Sequence, residues 1–581
     1  MKTVNKKFFS RPNTATNAAG RLSGRKKSKQ LSRYGRRPVR RRRSKSKHSI
    51  SLNPSFVFLD GNVLTMDAAR PQAEAIAVTA DRIVAVGSNQ EIQSLAGPQT
   101  KIIRVKRATI LPGFTDCHIH LIEYGLSLRN IDLRHVQSIE EVKKIVAERT
   151  HGSTTWVLGR GWDQEKFAEK RYPTRYDLDE ASPEKPVLLK RICGHICVAN
   201  SAALTLAAVS AKTPNPPGGI IDHDAAGEPT GILRENAVDL VSQAIPPLEL
   251  KDYAQAALTA CEHALKAGLT TVHCITNSDL ELKALLDLKS EGRLPLRFYV
   301  LIPLDQLKAA LALGIRSGFG DEWVRIGAVK IFTDGSLGAR TAALEAPYAD
   351  DPENQGVTIY SQQQLDDIVS EAHRSGFQIA AHAIGDRGTA MALHAITKAH
   401  ESAPRKNLRH RIEHASILNT ELIRQMKEVG VVASVQPHFI VSDVWLEPRL
   451  GARRASLAYP FHTLLQAGLI IVGGSDCPVE PLTPLSGIEA AVNRPGSEAV
   501  TVEDAISFYT RNAAYASFEE QMKGIIAPGK LADLVILDKD PEEVPPSTIS
   551  EIQVLLTMVG GKTAYQAEKN FHTPASAYCK V

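Results

Sequence analysis

Short apolar runs recur along the middle of this chain, each closed by a polar or turn-forming cluster. In order they are LPGFTDCHIH, TTVHCI, LRFYVLIP, VRIGAVKIFTDG, FQIAAHAIGD, LRHRIEHAS, VVASVQPHF and LIIVGGSDCP. Near-continuous apolar runs of this length predict strands buried on both faces. Stretches with helical periodicity precede most of them, among them YAQAALTACEHALKAG, SQQQLDDIVSEAHRSG and TELIRQMKEVG. These three end in Gly, a common helix stop. Eight strands separated by helices predict an α/β chain with a (β/α)8 TIM-like barrel. His382 and His414 lie 32 residues apart, about one βα unit.

The flanks have a different texture. FVFLDGNVLTMD, AIAVTADRIVAVG and KIIRVKRATILPGF alternate apolar and polar positions between turns, which predicts antiparallel strands. The same texture returns in GIIAPGKLADLVILDKDP and EIQVLLTMVGGKTAY. The expectation is a β-sandwich made from both ends, residues 51–110 and 521–570, around a barrel over 111–520. About 150 residues separate the first and second barrel strands. That interval is too long for a loop, so an insertion over about 150–250 is expected to carry its own structure. An insertion after strand 1 leaves from the catalytic face of a barrel and is placed to act as a lid.

The candidate chemistry sits at the ends of the apolar runs. His118 and His120 are i and i+2 of one strand and share a face. His382 and His414 end later strands, and Asp476 follows the last. Imidazoles with a carboxylate suit zinc or a similar divalent ion. Any one histidine alone is weak; the ordered set carries the weight. Asp476 could ligate the metal and move a proton between a metal-activated hydroxide and a leaving amine. Lys330 ends the run VRIGAVKIF, where a charged ammonium is costly unless paired. An ion pair with Asp334 or another acid is one reading. A carbamate formed with CO2, an anion able to bridge two metals, is the other.

Further candidates follow by position. Asp386 and Arg387 lie just past His382 and could orient it or touch substrate. Asp163 in GRGWDQ, His195 in CGHICVAN and Arg340 after Lys330 could line a pocket, with loop hydrogen bonding the alternative for each. Trp162 is insertion core or a substrate wall. His438 in QPHF ends strand 7 and faces the same rim, a candidate substrate contact. Cys117 and Cys477 adjoin candidate ligands and read as packing residues, with a metal-bound thiolate the alternative. Gly473 and Gly474 read as close backbone packing, since GGSD lacks the lysine and spacing of a phosphate loop.

Composition narrows the class. The chain is 43% hydrophobic and 23% charged, an ordinary globular balance. No apolar stretch is long enough to span a bilayer, so no membrane partner is expected. Seven scattered cysteines without a C-x-x-C predict reduced thiols and a cytoplasmic setting. The net charge of +7 misleads: 18 of the 70 basic residues fall within residues 1–48, which hold no acid, leaving 52 against 63 elsewhere. The segment 1–50 contains RRPVRRRRSKSK and is expected to be disordered. It lacks the apolar core of a secretory signal. Three readings stay open: an idle extension or a product of start-codon choice, a binder of polyanions such as nucleic acid, and an organelle transit peptide.

Over residues 55–565 the chain resembles the amidohydrolase superfamily, specifically its amidohydrolase-3 branch of YtcJ-like proteins. The motifs that carry the resemblance are PGFTDCHIH, GRGWDQ, RICGHICVAN, TGILRE, VKIFTDGSLGARTA, AAHAIGD, RIEHA, VQPHF, GGSDCPVEPLTPL and PGKLADLVILD. The resemblance implies a barrel with a composite β-sandwich. It implies one metal on His118 and His120, a second on His382 and His414, and a carboxylated Lys330 bridging them. It makes Asp476 the strand-8 ligand and acid/base, with one or two divalent ions, zinc foremost, per chain. The implied activity is hydrolysis of a non-peptide carbon–nitrogen bond in a small-molecule amide, N-formyl compound or cyclic amide. The branch includes N-substituted formamide deformylases. Deaminated heterocycles and esters fit the same machinery. Phosphoester hydrolysis is a rival, though no cationic clamp for it is visible in the sequence. A polyanion-binding protein working through the basic tail is the non-enzymatic rival. Association into homo-oligomers stays open.

Overall fold

The computed structural model describes residues 53–150, 156–193 and 195–567. The basic segment 1–50 and the expectations attached to it lie outside the described residues. Among the described residues no helix is long and apolar enough to cross a membrane.

Eight parallel strands form one sheet: β1 (Phe114–Ile119), β2 (Leu269–Ile275), β3 (Arg297–Pro303), β4 (Val324–Phe332), β5 (Gln378–Ala383), β6 (Arg411–His414), β7 (Val432–Val435) and β8 (Ile471–Gly473). They pair in sequence order, and nearly every position is buried, as parallel strands covered by helices require. Helices Leu250–Lys266, Gln362–Arg374 and Thr420–Val429 pack their apolar stripes on the outside. The last of these stops at Gly430, whose φ of +77° satisfies a left-handed cap at no steric cost.

β1 and β8 share no regular ladder, yet the barrel is drawn together where they meet. Asp476 N donates to His118 O at 2.7 Å, and His120 N donates to Cys477 O at 2.9 Å. Asp116 Oδ1 accepts from Ser475 N at 3.1 Å and from His118 N at 3.0 Å. A Cβ at Gly474 would lie 2.5 Å from His118 N, so only glycine lets the two backbones come this close.

Three further sheets surround the barrel. A four-stranded sheet takes Arg82–Gly87, Ala75–Thr79, Phe56–Leu59 and Lys101–Arg104 in that order. A six-stranded sheet draws on both ends of the chain: Lys562–Gln566, Val554–Val559 and Leu534–Leu537, then Thr109–Pro112, Asn62–Leu64 and Gln72–Ala73. Phe58, Ile76, Ile103, Leu534, Ile536 and Met558 meet in one apolar cluster between these two sheets. The expectation of purely antiparallel pairing is corrected here. Phe56–Leu59 runs parallel to Lys101–Arg104, and Asn62–Leu64 runs parallel to Thr109–Pro112. The helix Asn89–Ser94 lies between the hairpin and Lys101, and a crossover of that kind returns the chain in the same direction.

The segment between β1 and β2 forms a mixed six-stranded sheet from Ile131–Asp132 to Pro229–Glu235. Val187 and Leu189 join one apolar cluster with helix Ile139–Thr150, while Leu188 joins another with Ala203 and Leu204. Alternate residues thus bury opposite faces of this sheet.

Candidate metal centre

Side chains at the carboxyl ends of β1, β4, β5, β6 and β8 converge. One Nε2–Oδ1 distance of 3.4 Å joins His118 to Asp476, and another of 3.4 Å joins His120 to the same oxygen. One ligand atom from each of these three residues lies within 4.8 Å of the others. Lys330 Nζ stands 3.4 Å from His118 Nε2. The His414 ring centroid is 4.8 Å from that of His118 and 4.4 Å from that of His382. His382 Nε2 lies 3.2 Å from Gly335 O and 3.5 Å from Asp334 Oδ1.

Two of these residues sit on strained backbone. His414 has φ +75° and Asp476 φ +55°, a region that non-glycine residues seldom enter. Strict alternation along β6 would point Glu413 and His414 to opposite faces. The positive φ turns His414 back, so Glu413 and His414 both reach the barrel interior.

Glu413 and Arg411 are the residues that the sequence reading passed over. Both are fully buried. Glu413 Oε2 is 2.6 Å from His118 Nδ1, while Arg411 Nε donates to Glu413 Oε1 at 2.7 Å. Arg411 also donates to Cys117 O, to Ser434 Oγ at 3.0 Å and to His273 Nδ1 at 2.9 Å. Burial pushes the Glu413 carboxyl up, but Arg411 and His118 outweigh it and hold it well below the carboxylate range. An ionised carboxylate only accepts, so His118 Nδ1–H donates to Glu413 and the contact fixes the ring. The signal was the RIE spacing, which puts an acid and a base on one face of an otherwise apolar strand.

The electrostatics match a cation site. Burial raises Asp476, yet its contacts with His118 and His120 outweigh burial and hold the carboxyl well below its ordinary range. Burial first and Lys330 second push His382 down to about 3, and burial with His382 and His118 beside it drives His414 well below the usual histidine range. Both imidazoles are therefore neutral, as metal ligands must be. Burial lowers Lys330 to about 8 despite Glu413 and Asp476 nearby. His120 Nδ1 and His414 Nδ1 are buried with no hydrogen-bond partner. Neutral imidazoles, orphaned ring nitrogens and an ionised carboxylate within a few ångströms fit a divalent metal.

The other candidates are engaged elsewhere. Asp163 accepts from Arg191 at 2.9 Å, and Trp162 is fully buried with its indole N–H on Leu189 O at 2.9 Å. His195 is exposed and paired with Glu235 at 2.9 Å. Arg340 forks onto Asp350 at 3.1 and 2.9 Å. Asp386 Oδ1 accepts from Glu345 N at 2.8 Å, and Arg387 donates to Gln355 O at 3.1 Å. His438 Nδ1 lies 2.5 Å from Glu480. Lys330 forms no ion pair with Asp334, whose oxygens accept instead from the backbone of Ala343, Ile384 and Gly385. Cys117 and Cys477 are buried and their thiols are pushed up by burial, which disfavours a thiolate. A Cβ at Gly473 would lie 2.5 Å from the Tyr509 ring. Just past β7, Gln436 is buried with neither amide atom hydrogen-bonded.

A parallel barrel with histidines and an aspartate gathered at the carboxyl ends of its strands is the architecture of a metal-dependent hydrolase. The chain belongs to the amidohydrolase family, in its amidohydrolase-3 branch: the family model matches residues 106–565. It is an enzyme, a hydrolase of carbon–nitrogen bonds other than peptide bonds. It is 36% identical to the YtcJ amidohydrolase of Bacillus subtilis (strain 168) over 87% of this chain and 98% of that one. It is 30% identical to an N-substituted formamide deformylase of Arthrobacter pascens over 88% and 98%. The solved structure of an uncharacterized metal-dependent hydrolase from Pyrococcus furiosus superposes with a TM-score of 0.72 at 33% identity, covering 84% of this chain and all of that one.

Proposed function

We propose that this enzyme hydrolyses the amide bond of a small molecule, with N-formyl and cyclic amides foremost. The observation that carries the reading is the meeting of His118, His120 and Asp476 within 4.8 Å, beside Lys330, His382 and His414. We assign His118 and His120 to one zinc ion, His382 and His414 to a second, and Lys330, as its carbamate, to the bridge between them. The lowered Lys330 supports this, since only a neutral amine adds to CO2. When bound, the metal supplies a water acidic enough to act as nucleophile at neutral pH and polarises the substrate carbonyl. The chain does the rest. Glu413 fixes the His118 ring. Asp476, ionised at neutral pH, takes a proton from the attacking water and returns it to the leaving amine. The sheet-bearing segment between β1 and β2 leaves from the catalytic face, and we assign it substrate selection.

Phosphoester hydrolysis is less well served, because Arg340 and Arg449 at the rim share Asp350 as counter-ion. The six described cysteines are all free, which supports a cytoplasmic enzyme. The test is a screen of N-formyl, N-acyl and cyclic amides with zinc or manganese, run alongside Asp476→Asn. That variant is expected to keep bound metal while losing at least 100-fold in kcat. Full turnover by metal-free protein would sink the reading.

A further inference from the structure

Gln436 is 1% exposed, and both its Oε1 and its Nε2 are buried with no hydrogen-bond partner. Among the described residues no other side chain has two such atoms. A buried amide without partners gives up its hydration and gains nothing in return, which lowers the stability of the free protein. A group held at that cost asks for a partner that the protein alone does not supply.

The strand places this amide at the catalytic centre. Ser434 faces the barrel interior, where its Oγ accepts from Arg411 Nη2 at 3.0 Å, whereas Ala433 and Val435 join the apolar core shared with the surrounding helices. Gln436 is two residues beyond Ser434 and so returns to the interior face, one step nearer the carboxyl end where His414 and Asp476 stand. Pro437 keeps Gln436 extended, which carries the alternation past the last ladder residue. Its backbone is pinned on both sides. Gly474 N donates to Val435 O at 2.9 Å, joining β7 to the segment that bears Asp476. Phe439 N donates to Gln436 O at 3.1 Å, and the Phe439 ring stacks with its centroid 6.1 Å from that of His414. Burial does not set Gln436 apart from the proposed ligands, since His118 and Lys330 are themselves only 1% and 2% exposed.

His120 Nδ1 and His414 Nδ1 are unpartnered too, but imidazole nitrogens suit a zinc-like ion and a neutral carboxamide oxygen suits it poorly. The complement of a carboxamide is another amide, because Oε1 accepts an N–H and Nε2 donates to an oxygen. We propose that Gln436 is a substrate-binding residue, its Oε1 accepting the N–H of the scissile amide and its Nε2–H donating to an oxygen of the same molecule. The inference rests on the amide-hydrolase reading and adds the residue that tells an N–H amide from its N-methylated form or the matching ester. Either of those would leave Oε1 buried and unpaired, and a site built to bond an N–H rejects the analogue that lacks it.

The experiment crosses two proteins with three substrates. The metal-loaded parent and Gln436→Met, which keeps the length of the side chain and loses both polar atoms, are compared on N-butylformamide, N-butyl-N-methylformamide and butyl formate. The readouts are kcat/KM, calorimetric affinity, metal content and the unfolding midpoint of the metal-free protein. The ratios of the N–H amide to the N-methyl amide and to the ester are expected to fall about 10- to 100-fold in Gln436→Met. Metal content is expected to hold, and the midpoint to be no lower than the parent's, because an unpaired buried amide has been removed. A residue serving only the fold would lower the midpoint and leave the ratios alone. Equal ratios in the two proteins overturn the proposal, as does loss of metal from the variant, which assigns Gln436 to the ion. Should Gln436→Met fail to fold, Gln436→Asn keeps the carboxamide but withdraws it by one methylene, and the ratios should fall in the same way. Affinity for the N–H amide that drops in the variant, with no amide hydrolysed by the parent, retains the contact and removes the amide-hydrolase reading.

Discussion

Replacing Glu413 by glutamine changes one oxygen into an amide nitrogen at nearly constant volume. The carboxylate faces His118 Nδ1 at 2.6 Å and two donors of Arg411 at 2.7 and 3.0 Å, with no solvent access. Glutamine offers one accepting oxygen and one donating nitrogen, so whichever way it turns, a donor meets a donor. Arg411 then keeps only neutral partners: Cys117 O, Ser434 Oγ and His273 Nδ1. Removing one member of a buried ion pair costs about 3–5 kcal/mol. Loss of the group that orients a metal-binding histidine weakens metal binding about 10- to 100-fold, which is about 1.4–2.8 kcal/mol. The two effects separate experimentally. The denaturant midpoint of the metal-free variant reports the stranded Arg411, and competition with a chromophoric chelator reports the freed His118 ring. A metal-free stability within about 0.5 kcal/mol of the parent, together with unchanged metal affinity, would refute this account of the network.

With Lys330 at about 8, about a tenth of the amine is neutral at pH 7 and half at pH 8. Intact-mass spectra under bicarbonate should therefore show one added CO2 more fully at pH 8 than at pH 6, and Lys330→Met should never show it. Gly474→Ala drives a methyl against the His118 backbone, and metal affinity should fall more than tenfold in a chelator competition; an unchanged affinity would show that the seam gives way freely. Burial holds His273, His373, His382, His410 and His414 below the ordinary histidine value, so the stability each contributes is complete above pH ~6.5 and lost as pH falls. Asp116 and Asp334, raised to about 6 by burial, pull the opposite way and offset only part of it. Denaturant midpoints of metal-free protein should fall between pH 6.5 and 5, and a flat profile would contradict the burial of these rings as neutral species.

The barrel strands were legible because parallel strands covered on both faces must be apolar almost throughout. HIH was legible because a two-residue step returns to the same face. Strand direction in the flanking sheets was not, since alternation reports which face is buried and is silent on polarity. Glu413 and Arg411 were missed for a related reason. Charged residues in a strand read as solvent-facing until a partner on the same face is recognised as their neutraliser. The positive φ at His414 and Asp476 left no trace in composition, because neither residue is glycine. Asp163, His195, Arg340 and Asp386 stood near strong motifs, but proximity along the chain says nothing of whether a side chain is already held by an arginine, an acid or a backbone amide.

The sheet shared by the two ends of the chain sets an order of events during synthesis. Leu534–Leu537 lies between Thr109–Pro112 and Val554–Val559, pairing with both. Pro112 leaves the ribosome 422 residues before Leu534. At translation rates of roughly 5–20 residues per second, that wait lasts about 20 to 85 seconds. Throughout it, one edge of Thr109–Pro112 stands open, and β1, which follows it directly, cannot meet β8 until Ile471–Gly473 has been made. The newborn chain therefore carries a sticky, half-built sheet for most of its synthesis, a natural client for a chaperone. A message cut short before codon 534 should yield aggregate in place of a smaller working enzyme.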